Sequence, residues 1–426
     1  MNKEILLMPF AQDLLTRFLR YIQCWTTSDS SFADNGVVPS TKQQWDLAHM
    51  LEKELKEVGV TDITVTDNCY VCARIPATKG MEHIPAVGFL AHLDTTEEVC
   101  GKNVSPNVIQ NYDGAKIYLK ENVVLDPGKD KDLFSCKGDT IITTDGTTLL
   151  GADDKAGIAI IMQTVSQILA ANRDSDNVKI PHGTIEIVFS PDEETGHGMD
   201  KVPLPWFTAK QCYTVDGGKV GEIEAECFNA WKTEVTFVGK AMHTGSARPN
   251  MVNATTMACD FVSFLPRNES PEATDGYQGF YVPMEISGHI ENATVTVFLR
   301  DFTMDGMERR KIFVEQLAKT VEKKYPGGKV CVKHTQQYLN MSETIAKFPK
   351  VMENLVVAVQ KAGIEPEFKP IRGGTDGSRL TELGIPCPNI FTGGHNFHSR
   401  YEWVSLSQMI YGVNTLINLV AIQADN

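Results

Sequence analysis

Short apolar runs alternate with helical stretches along most of this chain, and that alternation constrains the fold more than any other feature of the sequence. The apolar runs, rich in β-branched residues, lie at 62–66, 69–75, 85–90, 140–146, 184–190 and 212–218. Helical periodicity occupies 10–23, 40–58 and about 155–171. Because strands buried on both faces read as continuous apolar runs, the pattern predicts an α/β unit with a mixed, largely parallel sheet flanked by helices.

The pattern changes near residue 228. Five segments follow one another there: a strand in KTEVTFVG, a helix at 251–264, a hairpin at 279–302, a charged helix at 306–324 and a strand in KVCVKHTQ. This βαββαβ order is the ferredoxin-like split unit of a small α+β sandwich. Since the alternation of helices and strands then returns, we predict one discontinuous domain, residues 1–227 and 338–426, with residues 228–337 inserted into it.

Composition and charge narrow the class of protein. With 42% hydrophobic and 22% charged residues, the chain is typical of soluble globular proteins. Its net charge of −14 disfavours a nucleic acid or an anionic membrane as a partner. Charged residues interrupt the N-terminal apolar spacing, unlike a secretory signal, and no stretch approaches the ~18 apolar residues of a membrane span. We therefore expect a cytoplasmic protein whose scattered cysteines, including Cys69 and Cys72, are reduced thiols.

Candidate ligand residues fall at the ends of predicted strands or just after them. The set is His92 and Asp94 in AHLDT, Asp153 in LLGADDKAG, Glu193 and Glu194 in SPDEETGHG, Asp216 in YTVDGG, and His398 in FTGGHNFHSRYE. Taken singly, each has an ordinary explanation as a loop, a helix cap or a solvated turn. Open α/β sheets, however, place ligand-binding residues at the carboxyl ends of their strands, so the combination favours one shared site.

The residue types in this set suit a two-metal centre. Two imidazoles and three carboxylates can hold two zinc-like ions when one carboxylate bridges them: His92, Asp153, Glu194, Asp216 and His398. Glu193 is then left over beside a ligand, where it can take a proton from an attacking water and pass it to a leaving amine. Asp94 lies on the same face of the extended chain as His92 and can accept its other ring N–H.

At these motifs the sequence resembles the peptidase T branch of the co-catalytic zinc metallopeptidases, a family that also holds aminoacylases and succinyl-diaminopimelate desuccinylase. AHLDT, LLGADDKAG, PDEETGHG, YTVDGG, IRGGTDG and PCPNIFTGG stand in that branch's order, and the likeness runs from about residue 14 to the C-terminus. The resemblance implies a discontinuous catalytic domain and an inserted domain that serves as a lid or in dimerisation.

The resemblance also implies roles for individual residues. His92, Asp153 and Asp216 would hold one zinc, while Asp153, Glu194 and His398 would hold the other, with Asp153 as the bridge. Asp94 would orient His92, and Glu193 would be the general base. Within the FTGG loop, the family's position falls on His398 rather than on His395.

Two substrate-binding residues follow mainly from the resemblance. Arg372, in PIRGGTDG, corresponds to the arginine that binds the terminal carboxylate of the substrate, although a surface salt bridge is the alternative. His243, in AMHTGSA, corresponds to a histidine that polarises the scissile carbonyl, often from the partner subunit. The family usually has proline and glycine after this histidine, whereas Thr244 and Gly245 follow it here.

These expectations together describe a cytoplasmic di-zinc aminopeptidase that removes the N-terminal residue from short peptides, above all tripeptides. A homodimer through the inserted domain is compatible with them. Cobalt or manganese would also suit a carboxylate-rich site with two histidines. The alternatives are an N-acyl amino acid deacylase or a dipeptidase on the same scaffold, or a non-catalytic protein that binds peptide or metal.

Overall fold

The computed structural model describes residues 3–173 and 179–425 of the chain. Its contacts divide the chain into two units. The first unit consists of Met1–Ala225, Glu343–Lys369 and Thr375–Asn426, and the second of Glu226–Ser342 and Pro370–Gly374. In the described residues, no helix combines the length and the apolar character of a membrane span.

Helices and strands alternate through both units. The helices are α1 Ala11–Ile22, α2 Ser30–Ala33, α3 Gln44–Val58, α4 Lys131–Ser135, α5 Ala152–Ala171, α6 Ala254–Ser263, α7 Met304–Lys324, α8 Ser342–Ile345, α9 Pro349–Lys361, α10 Asp376–Glu382 and α11 Leu406–Asp425. The strands are β1 Asp62–Val65, β2 Val71–Ile75, β3 Val87–His92, β4 Asn107–Ile109, β5 Ile117–Tyr118, β6 Val124–Leu125, β7 Ile141–Thr143, β8 Ile185–Ser190, β9 Cys212–Gly217, β10 Glu222–Glu224, β11 Asn229–Val238, β12 Phe280–Gly288, β13 Asn292–Asp301, β14 Lys329–Tyr338, β15 Glu367–Phe368, β16 Asn389–Phe391, β17 Gly394–His395 and β18 Trp403–Ser405. Short 3-10 turns lie at Lys3–Leu7, Glu193–Thr195, Leu204–Trp206, Thr244–Ser246, Arg267–Glu269 and Pro271–Ala273.

An eight-stranded mixed sheet forms the centre of the first unit, in the order β1-β2-β8-β3-β9-β16-β10-β15. Its four middle strands, β8, β3, β9 and β16, run parallel to one another. Every residue of β3 and β8 is buried, as expected for apolar runs covered on both faces. The prediction of a mixed α/β fold is therefore confirmed, and the carboxyl ends of these four strands meet at one edge.

Alternate residues of β3 enter two different cores. Val87, Phe89 and Ala91 join the large core formed with helices such as α1, α5 and α11, whereas Leu90 joins a smaller core on the opposite face of the sheet. This alternation follows from the two-residue period of a strand. Packing on both faces fixes the position of His92, the last residue of β3.

A second sheet in the first unit corrects one detail of the sequence analysis. The run 140–146 was expected among the strands of the main sheet, but β7 lies in an antiparallel four-stranded sheet of order β17-β18-β7-β4. The partner strand β18 comes from residues 403–405, far away in sequence. Periodicity shows that a run is a strand but carries no information on which distant strand will pair with it.

The second unit has the element order β11-α6-β12-β13-α7-β14. Its sheet is antiparallel, in the order β12-β13-β11-β14, and both helices pack on it. Each helix is preceded by a residue whose side chain accepts backbone N–H: Asn253 before α6 accepts two such groups, and Thr303 before α7 accepts one. The segment Pro370–Gly374 joins this unit because Ile371 pairs with Cys227 as an isolated parallel bridge.

Candidate metal centre

The candidate ligands arise from the carboxyl edge of the main sheet and from two loops. His92 ends β3, Asp216 lies near the end of β9, and Glu194 lies in the turn after β8. Asp153 is at the start of α5, and His398 lies between β17 and β18. The structure brings all five side chains together in two groups of three that share Asp153, and within each group the ligand atoms lie within 4.8 Å of one another.

The first group, called the His92 group, comprises His92, Asp153 and Asp216. The Nε2 atom of His92 lies 2.9 Å from Oδ1 of Asp153 and 3.5 Å from Oδ1 of Asp216. The His92 side chain is only 2% exposed. Asp216 is fixed through its backbone, whose N–H donates to Oδ1 of Asn389 at 3.0 Å. One ring nitrogen and two carboxylates thus converge on one buried point.

The second group, called the His398 group, comprises Asp153, Glu194 and His398. The Nε2 atom of His398 lies 2.9 Å from Oε2 of Glu194 and 3.2 Å from Oδ2 of Asp153. Its Nδ1 atom lies 3.4 Å from the exposed Glu98. The two histidines therefore approach different oxygens of Asp153, which is the arrangement that a bridging carboxylate requires.

Asp94 connects His92 to the turn that carries the two glutamates. The Asp94 carboxylate accepts the backbone N–H groups of Glu193 and Glu194, at 3.0 and 3.2 Å. The Nδ1 atom of His92 lies 3.1 Å from the carbonyl oxygen of Asp94 and 3.4 Å from its carboxylate. The sequence predicted that Asp94 accepts this ring N–H. In the structure the backbone carbonyl is the nearer acceptor, and the carboxylate mainly holds the turn.

Glu193 stands beside the His92 group and belongs to neither group. Burial raises its pKa well above the usual range, while the charge of His92 lowers it and the charge of Asp216 raises it further. These influences place the carboxyl within electrostatic reach of the ligands. A raised pKa means that this carboxyl binds a proton more tightly than an ordinary glutamate does, as a proton-accepting group must.

The donor set fits a pair of divalent cations. The Oε1 atom of Glu194 is buried and has no hydrogen-bond partner among the described residues, which is costly unless a cation satisfies it. Burial raises the pKa of Glu194 to about 8 and that of Asp216 to about 6. Burial lowers the pKa of His398, but Asp153 and Glu194 outweigh it and raise the value to about 11. The cluster therefore attracts positive charge, which metal ions would supply in place of protons.

The start of α5 is shaped by Asp154 and Gly157. The carboxylate of Asp154 accepts the backbone N–H groups of His92 at 3.2 Å and Gly157 at 3.1 Å. It therefore ties the end of β3 to the first turns of α5. A Cβ atom at Gly157 would lie 1.8 Å from the carbonyl oxygen of Val215. The absence of a side chain there allows α5 to approach β9 next to Asp216.

Two supporting residues were missed by the sequence analysis. The Asp192 carboxylate accepts the backbone N–H of Ser40 at 2.7 Å and the side-chain amide of Gln44 at 2.6 Å, anchoring the turn before Glu193. The Glu402 carboxylate accepts backbone N–H groups of the loop before Asp153. Glu402 stands a few positions after His398, and that proximity in sequence was the available signal. For Asp192 the sequence held no signal beyond its position next to Glu193.

Arg372 lies in the second unit, where its guanidinium already has protein partners. Its Nη1 atom donates to the carbonyl oxygens of Gly276 and Gln278, both at 2.8 Å, and its Nη2 atom donates to Oγ1 of Thr274 at 2.9 Å. The group also lies over the ring of Phe228, 5.1 Å from its centroid. A bidentate pair with a carboxylate through both Nη atoms would have to replace these contacts.

His243 and His395 lie outside the two ligand groups. His243 is exposed in the second unit, and its Nδ1 atom accepts the backbone N–H of Gly245 at 3.1 Å. His395 stacks on Trp403, with ring centroids 3.9 Å apart. Burial lowers the pKa of His395 to about 4, as expected for an imidazole packed in the protein rather than bound to a cation.

Comparison with known proteins places the chain among peptidases. The sequence pattern of peptidase family M20/M25/M40 matches residues 148–421. A relative from Geobacillus thermodenitrificans named peptidase T is 43% identical over 411 residues, which cover 96% of this chain and 98% of the relative.

Two solved structures share the fold across nearly the whole chain. The aminopeptidase PepT from Bacillus cereus superposes with a TM-score of 0.73 at 22% identity, covering 98% of this chain and 99% of that one. A Bacillus subtilis protein described as a dinuclear metal-binding peptidase superposes with a TM-score of 0.65 at 14% identity, covering 98% and 99%. With its full-length relatives and its two ligand groups joined at Asp153, the chain belongs to peptidase family M20/M25/M40.

Proposed function

We propose that this protein is a cytoplasmic, metal-dependent aminopeptidase that hydrolyses the N-terminal residue from short peptides, above all tripeptides. The observation that carries the proposal is the pair of ligand groups sharing Asp153, with Glu193 directly beside a ligand in sequence. The name of the relatives that match 96% of the chain supports the substrate class.

In this proposal the His92 group would hold one zinc ion and the His398 group would hold the other. Asp153 would belong to both ligand sets, since its two carboxylate oxygens face different histidines. The chemistry that two such ions supply when bound is polarisation of the scissile carbonyl and a lowered pKa of the attacking water. Asp94 keeps the Nε2 atom of His92 free for the metal by occupying Nδ1.

Glu193 is the proposed general base. Its carboxylate takes a proton from the attacking water and then delivers that proton to the amine that leaves when the peptide bond breaks. Its backbone N–H is fixed by Asp94, so the side chain starts from a backbone that is tied to the ligand set. This role explains why two glutamates stand side by side: one binds metal and its neighbour moves protons.

For the substrate, we propose two contacts from the second unit. Arg372 would bind the terminal carboxylate, giving up contacts to Gly276 and Thr274 as it does so. His243 would polarise the carbonyl under attack, and its exposed ring is available for this contact.

The second unit itself is proposed to act as a lid or in dimerisation. Its edge strand β12 exposes two large apolar side chains, Met284 at 56% and Ile286 at 50%, a feature that supports pairing with a second copy. Light scattering on the wild type and on Ile286→Lys would test this role. A wild-type monomer at micromolar concentration would contradict the dimer.

A panel of substrates tests the proposed reaction. We expect hydrolysis of a tripeptide with a free amine, far slower hydrolysis of the same peptide after N-acetylation, and no action on an N-acetyl amino acid. Metal per chain is measured on the same samples, with two ions expected and activity lost after chelation. Preferred cleavage of the acetylated compounds would replace the aminopeptidase with a deacylase.

A further inference from the structure

Glu402 is a buried carboxylate with an unusual set of partners. Its side chain accepts three backbone N–H groups: that of Leu150 at 2.7 Å, that of Gly151 at 2.8 Å and that of Asp153 at 3.2 Å. The residue is 1% exposed. A carboxylate buried so completely is stable only when its oxygens are satisfied, and here the backbone of a single loop satisfies them.

Glu402 connects two loops of the His398 group, the loop that carries His398 and the loop that carries Asp153. It comes shortly after His398 and directly before β18, and β18 pairs with β7 so that Trp403 lies opposite Thr143. The loop that leads to Asp153 leaves the same end of this strand pair, directly after Thr143 of β7. The Glu402 carboxylate therefore links the segment that carries His398 to the loop that carries Asp153.

We propose that Glu402 is a positioning residue that holds Asp153 and His398 at the spacing needed to bind a metal ion. The inference rests on the metal centre of the proposed function. Glu402 acts on two of the three ligands of the His398 group, but on only one ligand of the His92 group, since His92 and Asp216 are fixed by strands of the main sheet. Its loss should weaken the His398 group more than the His92 group.

A matched control is available in Glu186. This residue is also a fully buried glutamate that accepts backbone N–H groups, those of Thr208 and Ala209 at 3.0 Å, and it also pairs with Arg74 at 3.0 Å. It lies within β8, and none of its contacts among the described residues is with a candidate ligand. Glu402→Gln and Glu186→Gln both replace one of two acceptor oxygens with an NH2 group, which cannot accept a hydrogen bond. A general loss of stability affects both variants, whereas a change in metal affinity specific to Glu402→Gln reports positioning.

The first measurement is a titration of the full-length, metal-free proteins with Zn²⁺ against a competing chelator. For the wild type we expect two binding constants. In Glu402→Gln one of them should weaken by roughly 10- to 100-fold, the usual effect of losing a group that orients a metal ligand, with a smaller change in the other. Glu186→Gln should keep both constants. Two unchanged constants in Glu402→Gln would overturn the inference.

The second measurement needs no metal. Hydrogen exchange of the metal-free protein should be faster at the amides of Leu150, Gly151 and Asp153 in Glu402→Gln than in the wild type, and unchanged there in Glu186→Gln. Unchanged exchange at all three amides would also overturn the inference. If the wild type binds no Zn²⁺ at all, the proposed function fails, while exchange still decides whether Glu402 holds the loop.

A second variant covers the case in which Glu402→Gln does not fold. Glu402→Asp keeps the charge but shortens the side chain by one methylene, so it cannot reach all three amides. We expect an intermediate loss of affinity for one Zn²⁺ and intermediate exchange rates. Wild-type values for both measurements in a folded Glu402→Asp would count against positioning.

Discussion

The side chain of His92 is 2% exposed at the end of a buried strand, whereas that of His398 is 36% exposed in a loop between two short strands. Both rings nevertheless reach the same aspartate, at 2.9 and 3.2 Å. His92 receives its position from the packing of β3 on both faces of the sheet. His398 adopts a backbone φ of 57° and depends on the hydrogen bonds of its surroundings.

The difference between His92 and His398 shows two ways of positioning the residues of one candidate metal centre. Candidate ligands on strands of the main sheet are placed by the hydrophobic cores on its two faces, so they need little further support. Ligands on loops need buried polar groups that hold the backbone, and Asp94 and Glu402 are such groups. The structure thus predicts that changes to the two groups will have unequal effects.

The largest effect is expected from Asp153→Asn, because Asp153 belongs to both groups. An amide offers one acceptor oxygen instead of two and no negative charge, so neither ion should be retained and tripeptide hydrolysis should fall below detection. Metal analysis and an activity assay on the purified variant measure both outcomes. A variant that keeps two ions and most of its activity would show that the groups do not share this residue.

Glu193→Gln should separate proton transfer from metal binding. We expect kcat to fall by roughly 10²- to 10⁴-fold, since the amide cannot accept the proton of the attacking water. Both groups should keep their metal, because Glu193 belongs to neither. Hydrolysis at the wild-type rate would remove Glu193 from the mechanism.

A smaller effect distinguishes the two histidines in the metal-free protein. His92→Ala leaves buried carboxylates without the imidazolium that neutralises them, so it should lower the free energy of unfolding by about 1–3 kcal/mol. His398→Ala should cost less than about 1 kcal/mol, because its ion pairs are partly exposed to solvent. Urea unfolding of both variants provides the comparison. Equal losses would mean that strand and loop support their ligands equally.

The last effect concerns pH and the two histidines of the same loop. Burial lowers the pKa of His395 to about 4 from its ordinary 6.5, whereas its neighbours raise that of His398. Below pH 6.5 the unfolded chain takes up a proton at His395 that the folded chain does not, so His395 contributes stability above pH 6.5 that is lost as the pH falls towards 4. Unfolding measured from pH 4 to 7 should show a weaker pH dependence in His395→Phe than in the wild type. An unchanged slope would contradict the lowered pKa.

Much of the fold could be predicted from the sequence because periodicity reports burial directly. The run 184–190 became β8 at Ile185–Ser190, and the helix expected at 40–58 became α3 at Gln44–Val58, which ends at Gly59 with φ 106°. Candidate ligands could be named because each lies at or just after the end of a predicted strand or opens a helix. The structure places them together, while the roles assigned to them stay predictions.

What could not be predicted depends on pairing between distant segments. Nothing in residues 140–146 indicates that β7 pairs with β18, and without that pairing the contact between Glu402 and the Asp153 loop could not be foreseen. Local patterns also do not show how a side chain is used. The hydrogen bonds of the Arg372 guanidinium to residues 274–278, for example, have no signal in the motif PIRGGTDG.

The division of the chain into two units has a consequence for how such proteins can diversify. Every candidate metal ligand and Glu193 belong to the first unit, whereas both candidate substrate contacts, Arg372 and His243, belong to the second. In the proposed function, reactivity and selectivity would thus be encoded in separate stretches of sequence. Chimeras that exchange residues 226–342 and 370–374 between relatives should inherit peptide preference from one parent and metal requirement from the other.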